Sequence, residues 1–255
     1  MRALIIAFSM YSRVPMPKTC FDDRGMKYAM ACFPVVGALL GLLYFGLFHL
    51  CVFLKAPEVL RAALLFALPV LYTGGIHMDG FMDTEDAIHS YGDLEKRLQI
   101  LKDSHVGAFA VICALCYAVL FTGFSGALTE VTIGASSCVF VLSRILSAIA
   151  VVSFPKATKK GSLRTFSDLA GDHVVQILIA ELIAFSFLVL VLFHLFGAAL
   201  LLTCALVFAW YHHLSVKTFG GITGDLAGYF VCQCELWGIG VLVVLDLLLS
   251  AGGLL

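Results

Sequence analysis

Three aspartates, Asp79, Asp83 and Asp86, stand at i, i+4 and i+7 within the stretch GGIHMDGFMDTEDAIHSYGDLEKRLQILKDSHVGAF, which runs from Gly74 to Phe109. On an α-helix this spacing puts the three carboxylates on one face, about a turn apart. Like charges side by side favour one another's protonation, so the row stays ionised at neutral pH only with a cation among its oxygens. All-oxygen ligands select Mg²⁺ or a relative, and Mg²⁺ typically bridges one or two protein carboxylates to phosphate oxygens. The competing reading is a solvated acidic helix face. Against it, Gly74, Gly75 and Gly80 remove side-chain bulk where a large ligand would approach, and Gly80 inside a helix costs about 1 kcal/mol relative to Ala.

Three further polar stretches carry candidate chemistry. Lys102-Asp103-Ser104-His105 offers a point charge for phosphate, a carboxylate for a metal shell or for base work, and an imidazole for proton transfer. A plain helix cap by Asp103 or Ser104 explains the same residues. The run Pro155 to Arg164, with Lys156, Lys159, Lys160 and Arg164 around Gly161, suits either a polyphosphate clamp or anionic lipid headgroups. In Gly220-Gly221-Ile222-Thr223-Gly224-Asp225-Leu226-Ala227-Gly228, exposed backbone N–H groups can hold an anion while Asp225 reaches a metal. Gly220, Gly224 and Gly228 also fit the small-xxx-small spacing of a helix contact.

The elements that must position these residues are membrane helices. The chain is 61% apolar and 13% charged over 255 residues, with a mean hydropathy of +1.02. A formal net charge of −1 gives no basis for a nucleic-acid partner. Nine cysteines, most of them inside apolar runs, read as membrane packing, and Cys113-x-x-Cys116 falls mid-span without a second pair. Apolar segments at about 30–54, 58–74, 107–123, 131–153, 174–193, 198–214 and 235–252 each approach the ~17–25 residues of a crossing. The expected fold is therefore an all-α, multi-pass bundle of about seven spans (six to eight) in a single domain, 1–255. The 41-residue run 174–214 must turn near His194 to Gly197. The N-terminal apolar run is too short to cross, so it should lie at the interface or re-enter, with Arg13 at headgroup depth.

Of the 16 Lys and Arg residues, 13 fall in connections on one side, two on the other, and Arg144 lies inside a span. The positive-inside rule then puts the N-terminus and the polar stretches in the cytoplasm and the C-terminus outside. The 75–106 connection should carry an amphipathic helix with a polar stripe of Asp93, Glu95, Lys96, Arg97 and Lys102. Arg144 costs at least ~2.5–3.5 kcal/mol at mid-membrane and must face the bundle interior, as partner to a carboxylate or as a wall of a substrate cavity.

Read in order, FSMYSRVPMP, GGIHMDGFMDTEDA, LQILKDSHVGAF, Ser143-Arg144 with the basic loop after it, and GGITGDLAG resemble the adenosylcobinamide-GDP ribazoletransferases, also called cobalamin-5′-phosphate synthases. Many members carry Arg where this chain has His105. The resemblance implies a Mg²⁺-dependent enzyme of the prokaryotic inner membrane that joins adenosylcobinamide-GDP to α-ribazole or its 5′-phosphate and releases GMP. It implies Asp79, Asp83, Asp86 and Asp225 as metal ligands, with Asp83, Lys102, Asp103 and His105 as catalytic candidates. Arg13, Gly75, His77, Arg144, Lys159, Arg164, Gly221 and Thr223 are the implied substrate contacts. The implied partners are the two substrates and the bilayer, and assembly into a homo-oligomer is compatible with the sequence.

Two rival functions were weighed. A CDP-alcohol phosphatidyltransferase would need an Asp three residues before Asp79-Gly80, and none is there. A cation-coupled transporter would set its carboxylates along an ion path, usually with an inverted repeat, whereas here they cluster in one connection.

Overall fold

In hydrocarbon, backbone N–H and C=O groups must be paired within the segment, so apolar runs of crossing length become helices. The computed structural model describes residues 1–18, 21–157, 168–170 and 172–253. In chain order the helices are α1 (Arg2–Tyr11), α2 (Asp23–Lys27), α3 (Ala29–Phe53), α4 (Glu58–Thr73), α5 (Ile76–His89), α6 (Leu94–Ile100) and α7 (Ala108–Gly126). Then come α8 (Ile133–Ser153), α9 (Asp172–Phe219) and α10 (Gly224–Ala251). Five of them, α3, α7, α8, α9 and α10, are long and apolar enough to cross a membrane. A sixth crossing results if the short α4 is completed past a 95° bend into α5.

The expected seven apolar segments map onto α3, α4, α7, α8, the two arms of α9, and α10. α9 breaks at His194, whose backbone leaves helical geometry (φ 44°, ψ −112°). Beyond the break, a β-carbon on Gly197 would fall 2.5 Å from the carbonyl oxygen of Val189. In a straight helix eight residues rise about 12 Å, so the chain folds back here. The last crossing starts earlier than the sequence indicates, at Gly224, and absorbs much of the expected 215–234 connection. α1 is a ten-residue apolar helix that buries Ile6, Ala7 and Phe8.

α8 lies at the centre. α3 packs on it through Gly37 and Gly41, a small-xxx-small pair; a β-carbon on Gly41 would fall 2.5 Å from the carbonyl of Ser137. α10 is tied to α8 by a buried ion pair between Arg144 (1% exposed) and Glu235 (3% exposed). The same guanidinium nitrogen donates to the Ser143 hydroxyl at 2.9 Å and the Phe140 carbonyl at 3.3 Å. Of the two roles expected for Arg144, the structure thus provides the carboxylate partner, although the side chain also borders a small void of about 20 Å³ beside His77.

Removing one member of a buried pair leaves the other charged and unpartnered, which typically costs about 3–5 kcal/mol, whereas replacing both with apolar residues is often near neutral. Glu235→Leu should therefore lower the thermal midpoint of the detergent-solubilised protein markedly. Arg144→Met combined with Glu235→Leu should recover most of that loss and keep turnover. A double variant that is stable yet inactive would return Arg144 to the substrate.

Candidate active site

α5 is positioned by its entry and by its neighbour. The chain turns from α4 into α5 through Gly74 (φ +67°) and Gly75 (φ +84°), both in the left-handed region where a side chain is disfavoured. The Arg13 side chain lies directly over Gly74, and the Arg13 backbone N–H donates to the Tyr72 carbonyl at 2.7 Å. One turn further on, Gly80 meets the start of α10: a β-carbon there would sit 2.6 Å from the carbonyl oxygen of Asp225 and 2.9 Å from its α-carbon. Across the same seam, Gly228 would place a β-carbon 3.2 Å from the backbone of His77. Backbone therefore touches backbone, and Asp225 is brought beside the acidic row. The bulk that Gly80 removes thus admits the α10 backbone and not the large ligand expected there.

Asp79, Asp83 and Asp225 gather at that junction. Asp79 is exposed, and Asp83 and Asp225 are half-buried. Desolvation first, then the charges of Asp79, Asp225 and Asp86, push the Asp83 carboxyl up to about 6. Asp79 and Asp225 both line a cavity of about 220 Å³ that also meets α1, α3 and α8.

Asp86 leaves the group. Its two oxygens accept from the backbone N–H groups of Gly107 and Ala110, at the latter over 2.9 Å, so it closes the N-terminus of α7. The α7 cap expected from Asp103 or Ser104 is instead Gly107, served by this distant carboxylate. The helical spacing put Asp86 on the right face but could not show which neighbour takes its oxygens.

Lys102, Asp103 and His105 are exposed in the α6–α7 connection. Asp103 accepts from the His105 ring at 2.6 Å and from the His105 backbone at 3.0 Å, contacts that hold its carboxyl below the usual range. A carboxyl so held is a poor base. Among the described residues, no hydrogen bond or ion pair joins these three to Asp79, Asp83 or Asp225. The amphipathic helix expected beside them is α6, capped by Asp93, which accepts from Lys96 N–H at 2.9 Å.

The two other polar stretches do meet at the carboxylates. Residues 155–157 pair with the 222 region as an isolated bridge: Ile222 N–H donates to the Pro155 carbonyl at 2.8 Å and Ala157 N–H to the Ile222 carbonyl at 3.1 Å. Gly221 is pressed against this segment, where a β-carbon would fall 2.6 Å from three of its atoms. Thr223 caps α10 by accepting from Leu226 N–H at 3.2 Å, and its hydroxyl donates to Asp225 at 3.3 Å. Gly221 and Thr223, implied substrate contacts, thus have structural work here, and Gly220 lies in the turn before α10, not on a helix face. Lys159 and Arg164 lie outside the described residues. Gly75 opens α5 with free space around its α-carbon, and His77 is buried on the cavity wall.

Glu85 and His89 were not singled out in the sequence and Cys113 was read as membrane packing, yet the three are the group of potential metal ligands, among the described residues, whose atoms lie within 4.8 Å of one another. Glu85 accepts from the Tyr229 hydroxyl at 3.2 Å and lies 3.3 Å from the His89 ring, so the group holds α5 against α7 and α10. Its mixed donors do not suit Mg²⁺, whereas Asp79, Asp83 and Asp225 form an all-oxygen set. Mg²⁺ keeps several waters, so these carboxylates need not close around it. Asp83 is raised first by desolvation and then by the charges of Asp79 and Asp225, a negative charge that a bound cation would offset.

A family model described as cobalamin-5-phosphate synthase matches residues 3–243. The chain is 40% identical over 255 residues to the adenosylcobinamide-GDP ribazoletransferase of Lachnoclostridium phytofermentans, covering 99% of this chain and 98% of that one. It is 34% identical over 243 residues to the protein of that name from Clostridium botulinum strain Alaska E43, covering 93% and 95%. With the Halalkalibacterium halodurans protein of the same name, identity is 31% over 255 residues, covering 94% and 95%. No solved structure matches the chain. With residues 3–243 matched by the family model and a relative 40% identical over nearly the full length of both chains, this chain belongs to the cobalamin-5-phosphate synthase family.

Proposed function

We propose that the protein is a Mg²⁺-dependent adenosylcobinamide-GDP ribazoletransferase of the prokaryotic cell membrane, with its site open to the cytoplasm. The single observation that carries the metal-dependent reading is the close approach of Gly80 to the Asp225 backbone, which sets a third carboxylate beside Asp79 and Asp83 to make an all-oxygen set. The relatives' printed names supply the substrates. A hydroxyl of α-ribazole, or of its 5′-phosphate, attacks the phosphorus that carries the cobinamide. The new O–P bond forms as the bond to GMP breaks.

Asp79, Asp83 and Asp225 are the carboxylates that would hold the ion. Bound Mg²⁺ would neutralise the diphosphate and the charge gathering on departing GMP. Asp83 is also the residue assigned to accept the hydroxyl proton, through an oxygen not given to the ion; its raised proton affinity belongs to the metal-free group. Arg13, exposed with its side chain over Gly74 at the entry to α5, is a cation set at that corner that can meet the donor's phosphates. No covalent enzyme intermediate is needed, because displacement at a diphosphate is mainly positioning and charge neutralisation.

Two measurements test this reading. Purified protein given adenosylcobinamide-GDP, α-ribazole and Mg²⁺ should release GMP, lose that activity to EDTA and regain it with Mg²⁺. Asp83→Asn should lower kcat by about 10²–10⁴-fold, the range for loss of a positioned base. Near-normal turnover would remove Asp83 from the mechanism.

The same substitution has a second, opposite effect. Because the folded protein holds Asp83 near 6, ionising it above that pH costs stability in the metal-free state. Asp83→Asn should therefore raise the thermal midpoint in EDTA, fully so above pH 6 and less as pH falls toward about 4, where an unfolded aspartate also protonates. With saturating Mg²⁺ the order should reverse, since the ion stabilises the wild type. An unchanged midpoint at pH 8 in EDTA would mean that neither desolvation nor the neighbouring carboxylates penalise ionised Asp83.

A further inference from the structure

Glu85 and His89, one turn apart on α5, meet Cys113 of α7, so that a carboxylate, an imidazole and a thiol converge on one point. Their ligand atoms lie within 4.8 Å of one another, and His89 Nδ1 is 3.3 Å from Glu85 Oε2. Zinc–ligand bonds of ~2.0–2.2 Å at a tetrahedral angle set nitrogen and oxygen about 3.4 Å apart, so these two atoms already span one edge of a zinc site. The surroundings hold the same atoms in place. Tyr229 donates to the other carboxylate oxygen, Oε1, at 3.2 Å, which leaves Oε2 for an ion. The His89 ring is stacked on Phe109, with centroids 4.9 Å and planes 12° apart, and this contact fixes its orientation. Outer contacts of this kind orient metal ligands. Without an ion, Nδ1–H can donate to the Glu85 backbone carbonyl at 2.9 Å; the tautomer with its proton on Nε2 is the one that binds metal through Nδ1. Glu85 is buried, whereas the His89 side chain is 33% exposed and gives an ion a path from water.

We propose that Glu85, His89 and Cys113 form a site for Zn²⁺ or a similarly borderline-soft divalent ion, separate from the all-oxygen set assigned to Mg²⁺, and that the ion clamps the end of α5 onto α7. Carboxylate, imidazole and thiolate are zinc donors, whereas Mg²⁺ takes oxygen. Charge points the same way. A coordinated cysteine is a thiolate, so Glu85 and Cys113 together bring two negative charges and the imidazole brings none. A divalent ion makes the filled site neutral. Neutrality matters here because Cys113 is the sixth residue of a helix that crosses the membrane, where an uncompensated charge is costly. Three protein ligands leave a fourth position for water. The clamp would act on the helix that carries the acidic row. Asp86 already ties α5 to the first turn of α7 through Gly107 and Ala110, and an ion on Cys113 adds a second tie one turn further along. Two ties at different heights prevent α5 from turning or sliding against α7.

The test uses the full chain in lipid nanodiscs, stripped with EDTA and exchanged into excess Mg²⁺, with Zn²⁺ titrated against a chromophoric chelator. One tight equivalent should bind, and Co²⁺ in its place should give a thiolate-to-metal charge-transfer band. His89→Ala and Cys113→Ser, on different helices, should each lower Zn²⁺ affinity more than about 100-fold, beyond the range for loss of an outer contact, and Cys113→Ser should remove the band. Tyr229→Phe, which takes away the donor to Oε1, should lower affinity about tenfold. Cys116→Ser, at an exposed cysteine outside the group, should bind as the wild type does. Zn²⁺ should also raise the thermal midpoint of the wild type and of Cys116→Ser but not of Cys113→Ser, while in EDTA all three melt alike. Zn²⁺ binding that survives Cys113→Ser, that excess Mg²⁺ displaces, or that fails to appear in the wild type would overturn the proposal. GMP release is a separate readout, so failure of this site and failure of the ribazoletransferase reading are told apart.

Discussion

The carbonyl of Asp225 lies 2.6 Å from where a β-carbon of residue 80 would be, and the site depends on that contact. A side chain at position 80 would force α5 away from α10 and carry Asp79 and Asp83 away from Asp225. The cost is modest, about 1 kcal/mol for glycine in a helix relative to alanine. The return is a group of carboxylates drawn from two segments some 140 residues apart in sequence. Their repulsion opposes the fold, so the surrounding contacts must be rigid enough to hold it. Tyr229, from α10, supplies one such contact by donating to Glu85 on α5.

That rigidity comes from inside the membrane. α10 can hold Asp225 in place only if its own position is fixed, and the Arg144–Glu235 pair fixes it to α8. α8 is in turn held to α3 by the close approach at Gly37 and Gly41. A buried pair of this kind contributes little net stability but penalises any arrangement that separates its members. It specifies where α10 lies. The polar end of the bundle thus rests on an ionic contact well inside its apolar part, and a residue with the chemistry of a phosphate ligand serves the fold.

Periodicity and spacing made the larger features legible. The i, i+4, i+7 aspartates are on a helix, the long 174–214 run does reverse near His194, and the glycine-rich 220–228 stretch does start a helix beside a carboxylate. Partner identity was not legible. Asp86 serves residues 21 and 24 positions away, and Glu235 lies 91 residues from Arg144. Nothing local in either stretch encodes those pairings, because they arise only when helices are set against one another. The lysine, aspartate and histidine at 102, 103 and 105 show the converse. Their types suit phosphate chemistry, but an exposed connection leaves Asp103 engaged with His105 and apart from the acidic group. Tyr11 and Ser147, on the wall of the cavity beside the carboxylates, gave no signal at all, since an aromatic in a short apolar helix and a serine in a span read as packing until a cavity is seen between them.

The size of that cavity also bears on why such a reaction belongs in a membrane. On the proposed reading, a donor carrying a corrin ring cannot enter a space of about 220 Å³, so its bulk would stay outside the bundle while its diphosphate reached the carboxylates. Asp79, exposed where Asp83 and Asp225 are half-buried, marks the side from which the diphosphate can come. The corrin ring has broad apolar faces, and the helices around the site present apolar side chains on their outer surfaces. Lipid next to the site can therefore take up surface that water would reject. Under that arrangement the bilayer supplies binding surface that the protein does not.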